Sequence, residues 1–591
     1  MRLPLPQTDR QRQASLFAAM ACPDFYPHPV RQVVQKDTHI SKVFLTGDYV
    51  YKIKKAVDLG FLDFSSLAKR HRYCKREVTL NRRLTRGVYL GVVPITKVDD
   101  RFILGGSGRA AEFAVRMRQL PEACSLASLI AKGQVTVAQI QALASILTDF
   151  YARQGSVSRE QAAASRENVR AYCEENFRHI RGAVGNPLDA RRFRAVRSAT
   201  QSFLTRRKTV FESRRDGGKI CQGHGDLRSG HIYYTGPDRI QIIDCIEFNS
   251  RLRHIDVASD LAFLTMDLDF RGVSGLGAAL LDVYVRQTGD SQVYALLPFY
   301  KCYRAMVRCK VNCIRMNADP GDGDHLAVRR RRAERYLALA YRYAEHFGRS
   351  TVWVLCGLPG AGKSTIARRL SKALGLTVLR SDVIRKQLFG RTGRDQTADG
   401  LGHDIYGPVA HRRTYGAIMR RTRKALRQKN SIILDATFSH PDHRRQLLQL
   451  ADDARSRVVF IECTAPDRVL QARLGRREDA HSVSDARRHH FALLKQRYVP
   501  MAQPDPTLRL QVDTVQPIDH CLRAILSWDY QASVASVAPA KSTMPAVGAG
   551  GNHVQDHSGS NRSSHRTGSL GGNGGTPGRR EPRPTHHSPC P

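Results

Sequence analysis

The run Gly357, Leu358, Pro359, Gly360, Ala361, Gly362, Lys363, Ser364, Thr365 satisfies G-x-x-x-x-G-K-[ST]. It follows the apolar stretch Val352–Cys356 and precedes a helical pattern from Ile366 to Leu374. Strand, glycine-rich loop and helix start in that order make a cradle for phosphate. The glycines let backbone N–H groups wrap around phosphate oxygens, and the helix N-terminus adds positive partial charge. The pattern predicts that all nine residues contact a nucleoside triphosphate. Lys363 reaches its outer phosphates, and the Ser364 hydroxyl holds Mg²⁺.

Around this loop the sequence alternates. Strand patterns at Val352–Cys356, Thr377–Arg380, Ser431–Leu434 and Arg457–Glu462 are separated by helical patterns beginning near Thr365, Asp382, Gly407 and Ala465. That alternation predicts a parallel sheet covered by helices on both faces over residues 350–529, with ligands at the carboxyl edge. Asp382, just past the second strand, suits the acceptance of a proton from an incoming hydroxyl; alternatively it caps the next helix. Arg385 lies one helical step on, where it suits an anionic acceptor. Asp435 ends the third strand, where a carboxylate orders Mg²⁺ or forms a turn. Arg476 and Arg477 follow Arg473 at the end of a helix, and suit either neutralising a moving phosphoryl group or a solvated basic surface. Together these features resemble the P-loop kinase group that contains gluconate-type, polynucleotide 5′- and zeta-toxin-like kinases. The resemblance implies transfer from ATP but does not select an acceptor.

Upstream, Gln222-Gly-His-Gly-Asp226-Leu-Arg-Ser-Gly-His231 precedes an apolar strand pattern ending at Asp244. A carboxylate in a tight glycine-flanked loop followed by a second at a strand end suits catalysis at a metal–nucleotide site. This loop resembles that of aminoglycoside phosphotransferases, relatives of protein kinases, and implies a bilobal fold over residues 30–345. The resemblance makes Asp226 the base, Asp244 the Mg²⁺ ligand, Lys52 the phosphate clamp and Glu77 its partner. Glu112–Arg118 becomes the strand and hinge between lobes, and Asp256 and Asp260 become an acidic helix start. Asp63-Phe-Ser, Asn81-Arg-Arg and Tyr303-Arg-Ala-Met-Val-Arg308 are similar to a bacterial branch in which this unit is fused to a P-loop kinase. Two departures stand out: no G-x-G-x-x-G precedes Lys52, and His231 sits where kinases place a metal-binding Asn. Imidazole is a poorer Mg²⁺ ligand than an amide oxygen. Lys54 shares the strand face of Lys52 and competes for its role.

At 591 residues the chain is long enough for two or more domains. No apolar run suits a membrane span. Thirteen cysteines without paired spacing predict reduced thiols and a cytoplasmic location. Cys302, Cys309 and Cys313 fit a packed helix better than a metal site. The net charge of +41 predicts attraction to polyanions, nucleic acid among them, or a compositional bias. Residues 1–29 read as an extension, and 530–591, poor in large apolar residues, as a disordered tail. The expected fold is thus α+β followed by α/β: a protein-kinase-like unit, a P-loop unit and the tail. ATP, Mg²⁺ and a small hydroxyl acceptor are the expected ligands, with nucleic acid as a second partner class and no membrane.

Overall fold

The computed structural model describes residues 7–60, 62–236, 239–318, 323–391, 407–476, 488–501 and 508–535. Arg477 and residues 536–591 lie outside these. The first lobe is a six-stranded antiparallel sheet. Its order is Val34–Asp37, Ser41–Leu45, Tyr49–Lys54, Ala110–Arg118, Tyr89–Val98, Arg101–Leu104. Alternation along Tyr49–Lys54 sends Tyr51 and Ile53 into one core with Phe44 and Ala114, and the lysines to the other face. Ser66 caps the Leu67–Asn81 helix by accepting from the Lys69 N–H. That helix packs Cys74 and Val78 against Val115 and Met117.

Residues 7–29 depart from the expected extension. The Gln7–Ala19 helix buries Leu16 beside Phe44 and Tyr51, and Met20 lies in the same core. Gln13 Nε2 donates to the Lys54 carbonyl and to Glu112, and its Oε1 accepts from the Ala56 N–H. The segment is therefore part of the first lobe. Its apolar residues are too few to form an amphipathic stripe, which is why it read as an appendage.

The second lobe is mainly helical, with two short antiparallel strand pairs, Ile220–Gln222 with His254–Asp256 and Ile232–Gly236 with Arg239–Ile242. Its last two helices, Val293–Ala318 and Gly323–Gly348, pack on each other. Cys302, Cys309 and Cys313 are buried free thiols in the first of them, as a packed helix requires.

The chain then enters a five-stranded parallel sheet ordered Val378–Arg380, Ile432–Asp435, Thr351–Cys356, Arg457–Thr464, Arg509–Asp513. The strand feeding the phosphate loop is central and fully buried, which explains its continuous apolar run. The fifth strand was not anticipated, because Arg509-Leu-Gln-Val-Asp513 carries only two large apolar residues. The fold is a bilobal protein-kinase-like arrangement followed by a P-loop NTPase sheet. No helix among the described residues is long and apolar enough to cross a membrane.

One hydrophobic core runs across the boundary at 345–350, joining Phe299 and Tyr343 to Trp353, Leu370 and Ile525. The Ile518–Ala535 helix carries this contact past the expected tail boundary at 529. Tyr530 is buried, and Lys301 Nζ donates both to its hydroxyl and to Asp269 Oδ2 (2.8 Å). Arg457 Nη2 meets Asp529 Oδ1 at 2.7 Å, and Arg207 Nη1 donates to the Leu374 carbonyl at 3.0 Å. Removing the ring should therefore be felt throughout. Tyr530→Ala is expected to cost about 3–5 kcal/mol and to lower the urea midpoint measured by tryptophan fluorescence. A midpoint equal to wild type would show that the helix is not part of the shared core.

Candidate active sites

In the first site, four elements converge. Lys52 Nζ lies 2.8 Å from Glu77 Oε1 and 2.7 Å from Asp244 Oδ1. Lys54 bonds Glu77 Oε2 at 2.7 Å and also pairs with Glu247, all with fully or almost fully buried side chains. The two lysines thus differ in setting: Lys52 lies beside Asp244, and Lys54 braces Glu77 from the buried side. Burial opposes the charge on Lys52, but Asp244 and then Glu77 raise its pKa well above the usual lysine range. Glu247 escaped the sequence reading; its only signal is its position three residues beyond Asp244.

The loop between strands is held by its backbone. Asp260 accepts from the N–H groups of His224 (2.7 Å) and Gly225 (2.9 Å), and from Tyr151 Oη (3.1 Å). Asp256 caps the next helix and pairs with Arg214. Both acids of the expected helix start are thus buried supports away from the reacting atoms. Arg304 Nη1 donates to the Gly225 carbonyl at 3.1 Å. Gly225 has φ +87°, and a Cβ there would lie 2.9 Å from the Leu252 carbonyl oxygen, so only glycine fits. Asp244 itself sits at φ +65°, a conformation rare outside glycine and typical of strained functional positions.

Both Asp226 oxygens accept from Arg228, from Nε and Nη2, each at 2.9 Å. Burial alone would raise the Asp226 carboxyl, but Arg228 and His231 hold it far below the ordinary range. Recess in the cleft likewise opposes, and Lys52 and His231 outweigh it, at Asp244. His231 Nδ1 lies 3.0 Å from the Asp226 carbonyl, and Nε2 lies 3.6 Å from Asp244 Oδ2. Burial and then Arg228 lower the His231 pKa to about 4, leaving the neutral imidazole that metals bind. Single ligand atoms of Asp226, His231 and Asp244 all lie within 4.8 Å of one another. This two-carboxylate, one-imidazole set fits a divalent cation, and its nitrogen suits Mn²⁺ or Zn²⁺ better than Mg²⁺.

In the second site the loop glycines are sterically required. A Cβ on Gly357 (φ +122°) would lie 2.4 Å from the Cys463 carbonyl oxygen, and one on Gly360 (φ +84°) 2.9 Å from that of Leu470. Lys363 Nζ donates to the carbonyls of Gly357 (3.0 Å) and Leu358 (2.9 Å). Lys363, Ser364, Ser381, Asp382, Arg385 and Asp435 share one cleft of about 210 Å³ with Leu358, Pro359, Gly360 and Gly362. Arg380 Nε lies 3.3 Å from Asp435 Oδ2, and Arg385 Nη1 lies 3.8 Å from Asp382 Oδ1. Asp382 is in the first turn of the Ser381–Leu388 helix and makes no side-chain cap bond. A hydroxyl and a carboxylate facing one cleft, Ser364 and Asp435, form a donor set that fits Mg²⁺.

Four expected members do not line this cleft. Gly357 is buried, and its carbonyl accepts from Lys363 Nζ. Ala361 is buried beneath the loop. Thr365 and Arg476 line a groove on the other side of the loop, with Arg473 and Thr514; Arg476 is exposed. Arg477 lies outside the described residues. A further cation, beyond Lys363 and Arg385, reaches the cleft: Arg497, with Leu494 and Tyr498 beside it. The helical spacing i, i+3, i+4 was the available signal. His411 also lines the cleft. Burial, then Arg385 and the neighbouring His443 and His440, lower its pKa to about 4.

The lysines are separable by experiment. Lys52→Met should abolish Mg·ATP binding to the first site in calorimetry without loss of folding. Lys54→Met strands Glu247 and leaves Glu77 with Lys52 alone, and should cost about 3–5 kcal/mol of stability; equal behaviour of the two variants would contradict the assignment. His411 gives a pH signature. Its folded pKa lies below the unfolded value of about 6.5, so its stabilising contribution is present above that value and is lost as pH falls toward 4. His411→Gln should flatten the loss of the urea midpoint across that window.

A family model described as an AAA domain matches residues 352–501. Uncharacterized protein Rv2004c of Mycobacterium tuberculosis (strain H37Rv) is 31% identical over 468 residues, covering 78% of this chain and 90% of that protein. Shikimate kinase of Mycobacterium leprae is 60% identical over 42 residues, 7% of this chain and 21% of that enzyme. Among solved structures, a choline/ethanolamine kinase family protein from Mesorhizobium loti is 14% identical, covering 56% of this chain and 99% of that one, with a TM-score of 0.32. A gluconokinase from Sinorhizobium meliloti is 18% identical, covering 32% and 93%, with a TM-score of 0.22. On its extended likeness to Rv2004c, the chain belongs to that protein's family, whose member here joins a protein-kinase-like unit to a P-loop kinase-type unit.

Proposed function

We propose that the protein is an ATP-dependent phosphotransferase with two nucleotide sites, each moving the γ-phosphoryl group to a hydroxyl of a small molecule. The observation that carries this reading is the convergence of Lys363, Ser364, Asp382, Arg385 and Asp435 on one cleft at the carboxyl edge of the parallel sheet. In that cleft the loop N–H groups and Lys363 hold the β- and γ-phosphates. Asp382 receives the acceptor's hydroxyl proton as its oxygen bonds to phosphorus. The bond from phosphorus to the bridging β-oxygen breaks, and ADP leaves with that electron pair. Arg385 and Arg497 orient the acceptor and offset the spreading charge. Mg²⁺, held by Ser364 and Asp435, would neutralise the phosphates.

In the first site Lys52 clamps the phosphates, Glu77 aims it, and Asp226 accepts a hydrogen bond from the acceptor hydroxyl. A carboxylate kept ionised this firmly is a weak base. That is sufficient for a loose phosphoryl-transfer transition state, in which proton removal comes late. Asp244 and His231 would hold the cation, which would neutralise the phosphates.

A regulatory reading of the first site is favoured by one observation, the two-point grip of Arg228 on Asp226. ATP consumption over sugars, nucleosides, aminoglycosides and oligonucleotides separates the readings. Lys363→Ala should lower turnover at the second site about 10²-fold or more, and Asp226→Asn should do the same at the first. If Asp226→Asn changes only the response of the other site, the first is a sensor. Turnover confined to oligonucleotide ends and falling steeply with salt would favour a polynucleotide 5′-kinase.

A further inference from the structure

Beside the loop that carries Asp226, one helix bears a row of arginines that forms a positively charged wall. Arg304, Arg308 and Arg315 recur at helical spacing along Val293–Ala318, so one face of that helix carries them. Arg304 anchors the Gly225 carbonyl, and Arg308 acts through space on the Asp226 carboxylate. Arg308 lies over the Tyr336 ring at 5.9 Å, and its Nε is buried without a hydrogen-bond partner. Arg329 Nη1, from the next helix, donates to the Arg315 carbonyl at 3.0 Å. Burial, and then Arg308, Arg329, Arg228 and Arg332, lower the Arg315 pKa. His39, between the first two strands of the other lobe, is in electrostatic reach of Arg315 and Arg329.

This wall is not neutralised. Among the described residues no carboxylate forms an ion pair with Arg308, Arg315 or Arg332. The nearby acids are already engaged: Asp267 accepts from Ser229 and Arg271, and Asp37 pairs with Lys42 and Lys55. Concentrated like charge of this kind raises the free energy of the empty cleft, and an anion relieves it. A polycationic or amine acceptor meets repulsion here.

We infer that the acceptor of the first site is a small anionic hydroxyl compound, of the phosphate-monoester class, whose charged group docks on Arg308 and Arg315 while its hydroxyl faces Asp226. This rests on the two-site transferase reading and names the substrate class of one site. Planar guanidinium forks match phosphate oxygens in pairs, which gives the wall its selectivity as well as its attraction.

The test uses the full chain carrying Lys363→Ala, so that the second site is silent. Calorimetry compares ribose 5-phosphate with ribose, and glucose 6-phosphate with glucose, glucosamine and kanamycin, in the presence of the non-hydrolysable nucleotide Mg·AMPPNP. At least one phosphorylated sugar is expected to bind about tenfold or more tighter than its neutral parent and the two amines. Replacing Arg308 and Arg315 together by Gln should remove about tenfold or more of that affinity. The same replacement should leave Mg·AMPPNP binding and the thermal midpoint close to those of the parent. Should the double variant misfold, the wild-type wall is read by salt. Phosphate-sugar affinity should then fall several-fold between roughly 50 and 300 mM NaCl. Preference for kanamycin, glucosamine or a neutral sugar overturns the inference, as does failure of both phosphorylated sugars to bind. Unchanged binding by a folded double variant, or salt-independent binding, does the same. Anion binding without phosphoryl transfer leaves the charge class standing and removes the transferase reading; transfer to a neutral sugar does the reverse.

Discussion

The arrangement of the first site depends on a chain of charges that begins in the core and ends at the cleft. Lys54 and Lys52 alternate along one strand, Glu77 lies between them, and Glu247 and Asp244 approach from the other lobe. Two ammonium groups thus face three carboxylates. Charges this poorly solvated persist only when each has a partner, since an uncompensated one costs several kcal/mol. The lobes cannot slide apart without stranding Glu247 or Lys54, so the network fixes their relation. Its excess of negative charge lies at Asp244, beside His231 and Asp226, where a cation has a structural reason to bind.

The second constraint is the core shared between the kinase-like helices and the parallel sheet. Phe203, Phe299 and Phe347 pack together on one side, with Phe203 and Phe299 stacked at 4.7 Å. The Ile518–Ala535 helix closes the other side through Tyr530. Interfaces between independently moving domains are smaller and more polar than this. Continuity of the core through Ala340, Tyr343 and Trp353 ties the two sites into one body. A change in packing at one therefore has a physical route to the other, without a flexible linker between them.

What was legible in the sequence follows from how local its cause is. The phosphate loop was readable because glycine, lysine and hydroxyl positions are dictated by contacts within nine residues, and the strand before it is buried on both faces. Asp226 and Asp244 stand out by their loop and strand-end pattern, but their association with Lys52 and Glu77 came only through resemblance, because 192 residues separate the members of one ion pair. The strand pattern does not separate Lys52 from Lys54: both lie on the same strand face, and the distant carboxylates Asp244 beside Lys52 and Glu247 behind Lys54 distinguish them. Arg476 was misplaced for the opposite reason. An arginine-rich helix end follows a strand in the right order, but Arg476 lines a groove with Thr365, whereas Arg497, just past the short Phe491–Gln496 helix, reaches the cleft. The terminal segments failed alike. Burial of Leu16 and Tyr530 is decided by distant partners, and neither segment carries a periodic pattern of its own.

The composition now has a location as well as a magnitude. A net charge of +41 spread evenly would say little about chemistry. Much of the exposed positive charge sits on helices such as Pro408–Arg427, where it faces solvent. The two clefts use their share differently. In the second, Arg380 and Arg385 each lie near a carboxylate, so the acids offset the bases and the phosphate loop supplies the anion binding through its backbone. In the first, no glycine-rich motif precedes Lys52, and among the described residues Arg308 and Arg315 form no ion pair with a carboxylate. A site lacking a glycine-rich cradle must obtain its hold on anions from side chains. In the proposed reading the Arg308–Arg315 face would provide that hold, from a helix anchored through Arg304 to the loop that carries Asp226.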